Sequence, residues 1–115
     1  AQLESTISSM ILTESRRAGP LADGLASDRK VSAAAYRELI VTDLGPELER
    51  ITAPTEVLYV KFNDPRMTTA ITDSIYAGGF SRLPGATLKR IDDSGHFIML
   101  DQPERFAAEV EAFLQ

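Results

Sequence analysis

The chain holds a single imidazole, His96, and no cysteine, so proton transfer near neutral pH has one obvious carrier. His96 lies in Asp93-Ser94-Gly95-His96-Phe97, just after a stretch of strand formers. Asp64, in Phe62-Asn63-Asp64-Pro65, also follows such a stretch. A carboxylate beside an imidazole fixes its tautomer and stabilises the imidazolium formed during proton transfer. The two residues are 32 positions apart (96 minus 64), so only tertiary structure brings them together. A lone loop histidine is more often structural or solvated, and Asp-Pro after a strand is commonly only a turn. Position at strand ends is what raises the pair, because functional groups of open α/β sheets gather beyond the carboxyl ends of the strands.

The elements that must position them are legible from periodicity. Val57-Leu58-Tyr59-Val60 is a continuous run of strand formers within residues 56–62, as suits a parallel strand covered on both faces. Met67, Ala70, Ile71, Ser74 and Ile75 follow at helical spacing, and Gly78-Gly79 weakens or ends that helix. Residues 86–91 read as a second strand, with an edge-like content of Thr87, Lys89 and Arg90. Asp101-Gln102-Pro103-Glu104 reads as a helix start with an acidic N-cap. Phe106, Ala107, Val110, Phe113 and Leu114 form the apolar face of that last helix. The order strand, helix, strand, helix suits a right-handed parallel βαβ unit.

Residues 1–50 are helical in pattern. Leu3, Ile7, Met10 and Ile11 place an amphipathic helix over residues 4–17, ended by Gly19-Pro20. A short helical piece is expected over residues 21–26. Asp28 is a candidate cap for a helix over residues 29–42, whose apolar stripe is Val31, Ala34, Ala35, Leu39 and Ile40. Pro46 suits the first turn of a short helix ending near Arg50.

Composition bounds the function classes. With 115 residues, 43% hydrophobic and 25% charged, the chain has the make-up of an ordinary globular domain. A net charge of -5 argues against nucleic acid as a partner, since phosphates are repelled. The absence of cysteine excludes disulfides and thiolate metal sites, and one histidine excludes a multi-histidine metal site. No apolar run has the length of a membrane span and no signal peptide opens the chain, so the expectation is a cytoplasmic protein away from membranes. The first residues are Ala1-Gln2 rather than Met, consistent with removal of an upstream segment.

The segment Leu83-Pro84-Gly85-Ala86, then Asp93-Ser94-Gly95-His96-Phe97-Ile98-Met99 and Asp101-Gln102-Pro103-Glu104-Arg105-Phe106, resembles the region around the catalytic histidine of α/β-hydrolases. Ile51-Thr52-Ala53-Pro54-Thr55, followed by Val57-Leu58-Tyr59-Val60, resembles the entry to their acid-bearing strand. The likeness covers residues 51–115. It implies the C-terminal βαβα part of an α/β-hydrolase fold, preceded by a helical cap-like segment over residues 1–50. His96 matches the family's general base and acid, and Asp64 its triad acid. Acid before histidine is also the family's chain order. The sequence departs from the pattern at Val60-Lys61-Phe62, where many members place a glycine directly after the strand. Asp73 is the less favoured substitute for Asp64, and Asp92 and Asp93 lie too close to His96 in sequence.

No Gly-x-Ser-x-Gly nucleophile elbow occurs. Gly79-Phe80-Ser81-Arg82-Leu83 is the nearest approach and follows a helix rather than a strand. Ser94 is better suited to supporting its loop by local hydrogen bonds. The resemblance therefore implies hydrolysis of carboxylic esters or related small acyl substrates, with the nucleophile from another segment or chain and no metal or organic cofactor. Haloalkane and epoxide chemistries of the same family stay open. Two parallel strands alone leave an unpaired edge. The expected partners are a nucleophile-bearing companion chain or further copies of this chain in a homo-oligomer. A catalytically inactive hydrolase fragment acting as an oligomerisation or binding module is the competing reading.

Overall fold

The computed structural model describes residues 2–115. Helix α1 (Gln2–Met10) leads through a 3₁₀ turn at Glu14–Arg16 to α2 (Ala18–Ala26) and α3 (Arg29–Val41). A second 3₁₀ segment, Gly45–Arg50, precedes strand β1 (Glu56–Tyr59). Helix α4 (Thr69–Gly79), strand β2 (Thr87–Arg90), α5 (Ile98–Asp101) and α6 (Pro103–Leu114) complete the chain. The architecture is α/β in a broad sense, with much more helix than strand. β1 and β2 form one parallel pair in the register Glu56–Thr87, Val57–Leu88, Leu58–Lys89 and Tyr59–Arg90. The crossover through α4 is the βαβ connection read from the sequence.

The core lies beneath the carboxyl ends of the strands. Val60, Ile91 and Ile98 are buried together, with Leu58 and Phe106 packed against them. Ile7 and Ile11 are buried from the N-terminal side, Ile11 completely. Among the described residues no helix is long and apolar enough to cross a membrane.

Several boundaries follow local chemistry. Asp28 caps α3, its Oδ1 accepting from the amides of Lys30 and Val31. Thr68 caps α4 by accepting from Ile71 N–H. Pro103 opens α6, where its missing N–H costs nothing.

Four expectations are corrected. The first helix does not run over residues 4–17: it stops at Met10, because the amides of Leu12 and Thr13 turn to the distant Asp101 carboxylate. Gly19-Pro20 ends no helix and lies in the first turn of α2, where proline is tolerated. Asp101 is not the cap of α6: that position is Gln102, with no side-chain cap bond. In α4 the face carrying Ile71 and Ile75 stays exposed, while Thr72 is fully buried. Tyr76, on the same side as Thr72, stacks on Tyr59 at 4.3 Å. That face wins because Asp73 beside it accepts from Tyr59 Oη (2.7 Å) and from Arg90, both on the sheet.

Helix α3 buries none of its residues. Val31, Tyr36, Leu39, Ile40 and Val41 are all at least 60% exposed, so its apolar stripe faces solvent.

Candidate functional site

Both strands end at the same edge of the pair, so the loops that follow them meet. They border an open cleft of about 1030 Å³. From the loop after β1 come Phe62, Asn63 and Asp64; from the loop after β2 come Asp92, Ser94 and His96. Ser9, Met10 and Leu12 close the N-terminal side. Of the apolar stripe of the first helix, Met10 lines the cleft, while Ile7 and Ile11 are spent in the core. His96 also borders a smaller apolar groove of about 370 Å³ walled by Leu58, Phe106 and Phe113, and so stands between the two hollows.

The imidazole of His96 is exposed and makes no hydrogen bond with a described residue; its one ring contact is an edge-on approach to Phe97 at 5.4 Å. A histidine in that state is open to exchange a proton with a group entering the cleft. Asp64 shares the cleft but is not bonded to His96. Its two oxygens accept from the Arg66 guanidinium, at 2.7 Å from a terminal nitrogen and 3.1 Å from Nε. Oδ1 also accepts from Arg66 N–H at 2.9 Å. These bonds hold the Asp64 carboxyl below the usual range, the side-chain bond contributing most. Asp64 is thus ionised, as a triad acid must be, but engaged by a local partner that competes for the same oxygens.

The other candidates are committed elsewhere. Asp73 is bound by Arg90 and Tyr59 and does not border the cleft; Arg90 first and Tyr59 second keep its carboxyl depressed. Asp92 pairs with Arg90 Nε at 2.9 Å. Ser81 is exposed at the end of α4, away from the cleft, and its hydroxyl donates to Gly78 C=O. Ser94 borders the cleft but is buried, with its hydroxyl donating to Gly95 C=O. Among the described residues no group of three or more carboxylate or histidine side chains is arranged to hold a metal ion.

Two features escaped the reading of residue spacing. Arg66, two positions from Asp64, was visible as a possible pair but carried no motif. Asp101 resembles a helix cap, yet it gathers backbone amides from across the chain. Its Oδ2 accepts from Leu12 N–H (3.0 Å) and Gly95 N–H (2.8 Å), and its Oδ1 from Thr13 N–H (2.7 Å). Burial opposes ionisation of this carboxyl, but the three amides, with the Thr13 side chain, together outweigh burial and keep it below the usual range.

Comparisons with protein-family models, curated proteins and solved structures find no match to this chain.

Proposed function

We propose that the chain supplies the acid and the base of an acyl-hydrolase site of the α/β-hydrolase type. The observation that carries this reading is that His96 and Asp64 line one cleft beyond the carboxyl ends of two parallel strands, despite their separation in sequence. The resemblance of residues 51–115 to that family adds to it. In the proposed reaction a serine hydroxyl from another segment or chain attacks the carbonyl carbon of an ester or lactone. His96 takes the hydroxyl proton as the new C–O bond forms and returns it to the departing alkoxide. Asp64 orients the imidazole once its carboxylate turns from Arg66 to His96. Water then repeats the sequence on the acyl-enzyme. The substrate is a small acyl compound, the partner is the nucleophile-bearing chain, and the setting is cytoplasmic.

The test is hydrolysis of p-nitrophenyl acetate, combined with fluorophosphonate labelling and intact-mass analysis of every co-purifying chain. A serine adduct on a companion chain, with hydrolysis lost on His96→Ala, is the expected result. Hydrolysis indifferent to His96→Ala sinks the proposal, and a labelled Ser81 or Ser94 reassigns the nucleophile.

A second reading, an association module without catalysis, is favoured by the solvent-facing apolar stripe of α3 and the unpaired outer edge of β1. It predicts concentration-dependent sedimentation with no labelled serine on any chain.

A further inference from the structure

The loop that carries His96 is fixed at alternate backbone positions by contacts that no local motif requires. Asp93 has φ +56°, a left-handed conformation uncommon outside glycine, and its carbonyl accepts from Gln102 Nε2 at 2.8 Å. Gly95 donates its N–H to Asp101 and lies hard against Met10: a Cβ built on it would stand 2.8 Å from the Met10 carbonyl carbon and nearer still to the oxygen. Phe97 donates its N–H to Met10 C=O at 3.2 Å. Asp101 joins both sides, since the carboxylate that holds Gly95 also holds Leu12 and Thr13. Arg17 secures the same stretch, donating to Ile11 C=O (2.8 Å) and Leu12 C=O (2.9 Å). The backbone around His96 is tied down while its imidazole is left exposed and unbonded.

We propose that Asp101 is a positioning residue for His96: its carboxylate clasps the histidine loop to the segment after α1, so that residues 10–13 set where the imidazole stands in the cleft. Its catalytic meaning rests on the hydrolase reading above, but the clasp is testable without any activity. Strain held at Asp93 fits a loop whose conformation is imposed by its surroundings rather than by its own preferences. A carboxylate suits the task because it accepts several amides at once and charge-assisted bonds are stronger than neutral ones. Asparagine in its place offers one acceptor oxygen and turns an N–H₂ toward an amide donor.

His96 is the only histidine, so its ring signals in a carbon–proton NMR spectrum of the full chain are unambiguous. In the wild type they are expected to carry the ring-current shift and through-space contact of the edge-on Phe97. With Asp101→Asn we expect both to be lost, and the Leu12, Thr13 and Gly95 amides to exchange about tenfold faster, while amides of β1 and β2 keep their protection. His96 signals unchanged while the Leu12 and Thr13 amides are released would overturn the proposal, since Asp101 would then merely dock α1. If Asp101→Asn does not fold, Asp101→Glu keeps the charge but displaces the carboxylate by one methylene from the Leu12, Thr13 and Gly95 amides. It is expected to move the His96 signals and to speed exchange of those amides together, and an unmoved ring with the Leu12 and Thr13 amides released again overturns the clasp. Loss of the hydrolase reading, through active His96→Ala protein, leaves this NMR result untouched, so the two failures are separable.

Discussion

Replacing Gly95 by alanine probes a close backbone approach in the candidate site. Gly95 does not lie in the left-handed region, so the cost arises from space and not from φ. The added methyl meets the Met10 carbonyl closer than 3.0 Å, with Asp101 Oδ2 at 3.1 Å on another side. The obstacle is backbone on one side and a carboxylate held by three amides on the other, so neither yields as a flexible side chain would. Two responses compete. If the segment after α1 detached, Ile7 and Ile11 would return to water at about 1.5–3 kcal/mol each. The bonds of Leu12 and Thr13 to Asp101 would go as well, at about 1.5–3 kcal/mol each. If the seam only widens, overpacking costs about 1–3 kcal/mol and the Phe97–Met10 bond about 1 kcal/mol. Widening is cheaper, so Gly95→Ala is expected to destabilise by about 2–4 kcal/mol, a fall in Tm of roughly 10 °C for a domain of this size. Urea unfolding followed by far-ultraviolet circular dichroism measures it, with Gly78→Ala as control. No atom lies within 4 Å of a Cβ at Gly78, and alanine in that helix should stabilise by about 0.5–1 kcal/mol. A Gly95→Ala protein within about 0.5 kcal/mol of wild type would refute the seam as described.

Acid should loosen the same seam. The folded-state value of Asp101 is depressed, so its contribution is complete above the ordinary carboxylate range and is lost as pH falls through the depressed value. Urea midpoints at neutral pH and near about pH 3 should therefore drop less for Asp101→Asn than for wild type, and parallel profiles would contradict this. His96→Ala should leave stability within about 0.5 kcal/mol of wild type, because the ring is exposed and unbonded; a larger loss in thermal unfolding would mark His96 as structural. Arg66→Ala should raise the Asp64 carboxyl part of the way toward the ordinary range in a carboxyl-carbon NMR titration, since the Arg66 side chain is the main cause of its depression while the backbone N–H at position 66 still donates. An unmoved titration would mean that the pair is not formed in solution.

What the sequence determined by itself is whatever depends on neighbours a few positions apart. Asp28 caps α3 because its oxygen reaches the amides two and three residues on, and Pro103 opens α6 because its ring fits only there. The two strands and their crossover were legible because runs of β-formers bracket a helical repeat. Their parallel pairing then places the loops of Asp64 and His96 on one cleft, as the βαβ order implies. The tertiary structure alone decided where α1 ends, which face of α4 is buried and what Asp101 does. Helical spacing favoured Ile71 and Ile75, yet the Asp73 bonds to Tyr59 and Arg90 turned the Thr72 side inward. The signature of a capping box favoured Asp101 at the start of α6, yet amides 88 and 89 positions away claimed its oxygens. A carboxylate goes to the donors that the fold leaves unpaired, and which donors those are is fixed only when the distant segments meet.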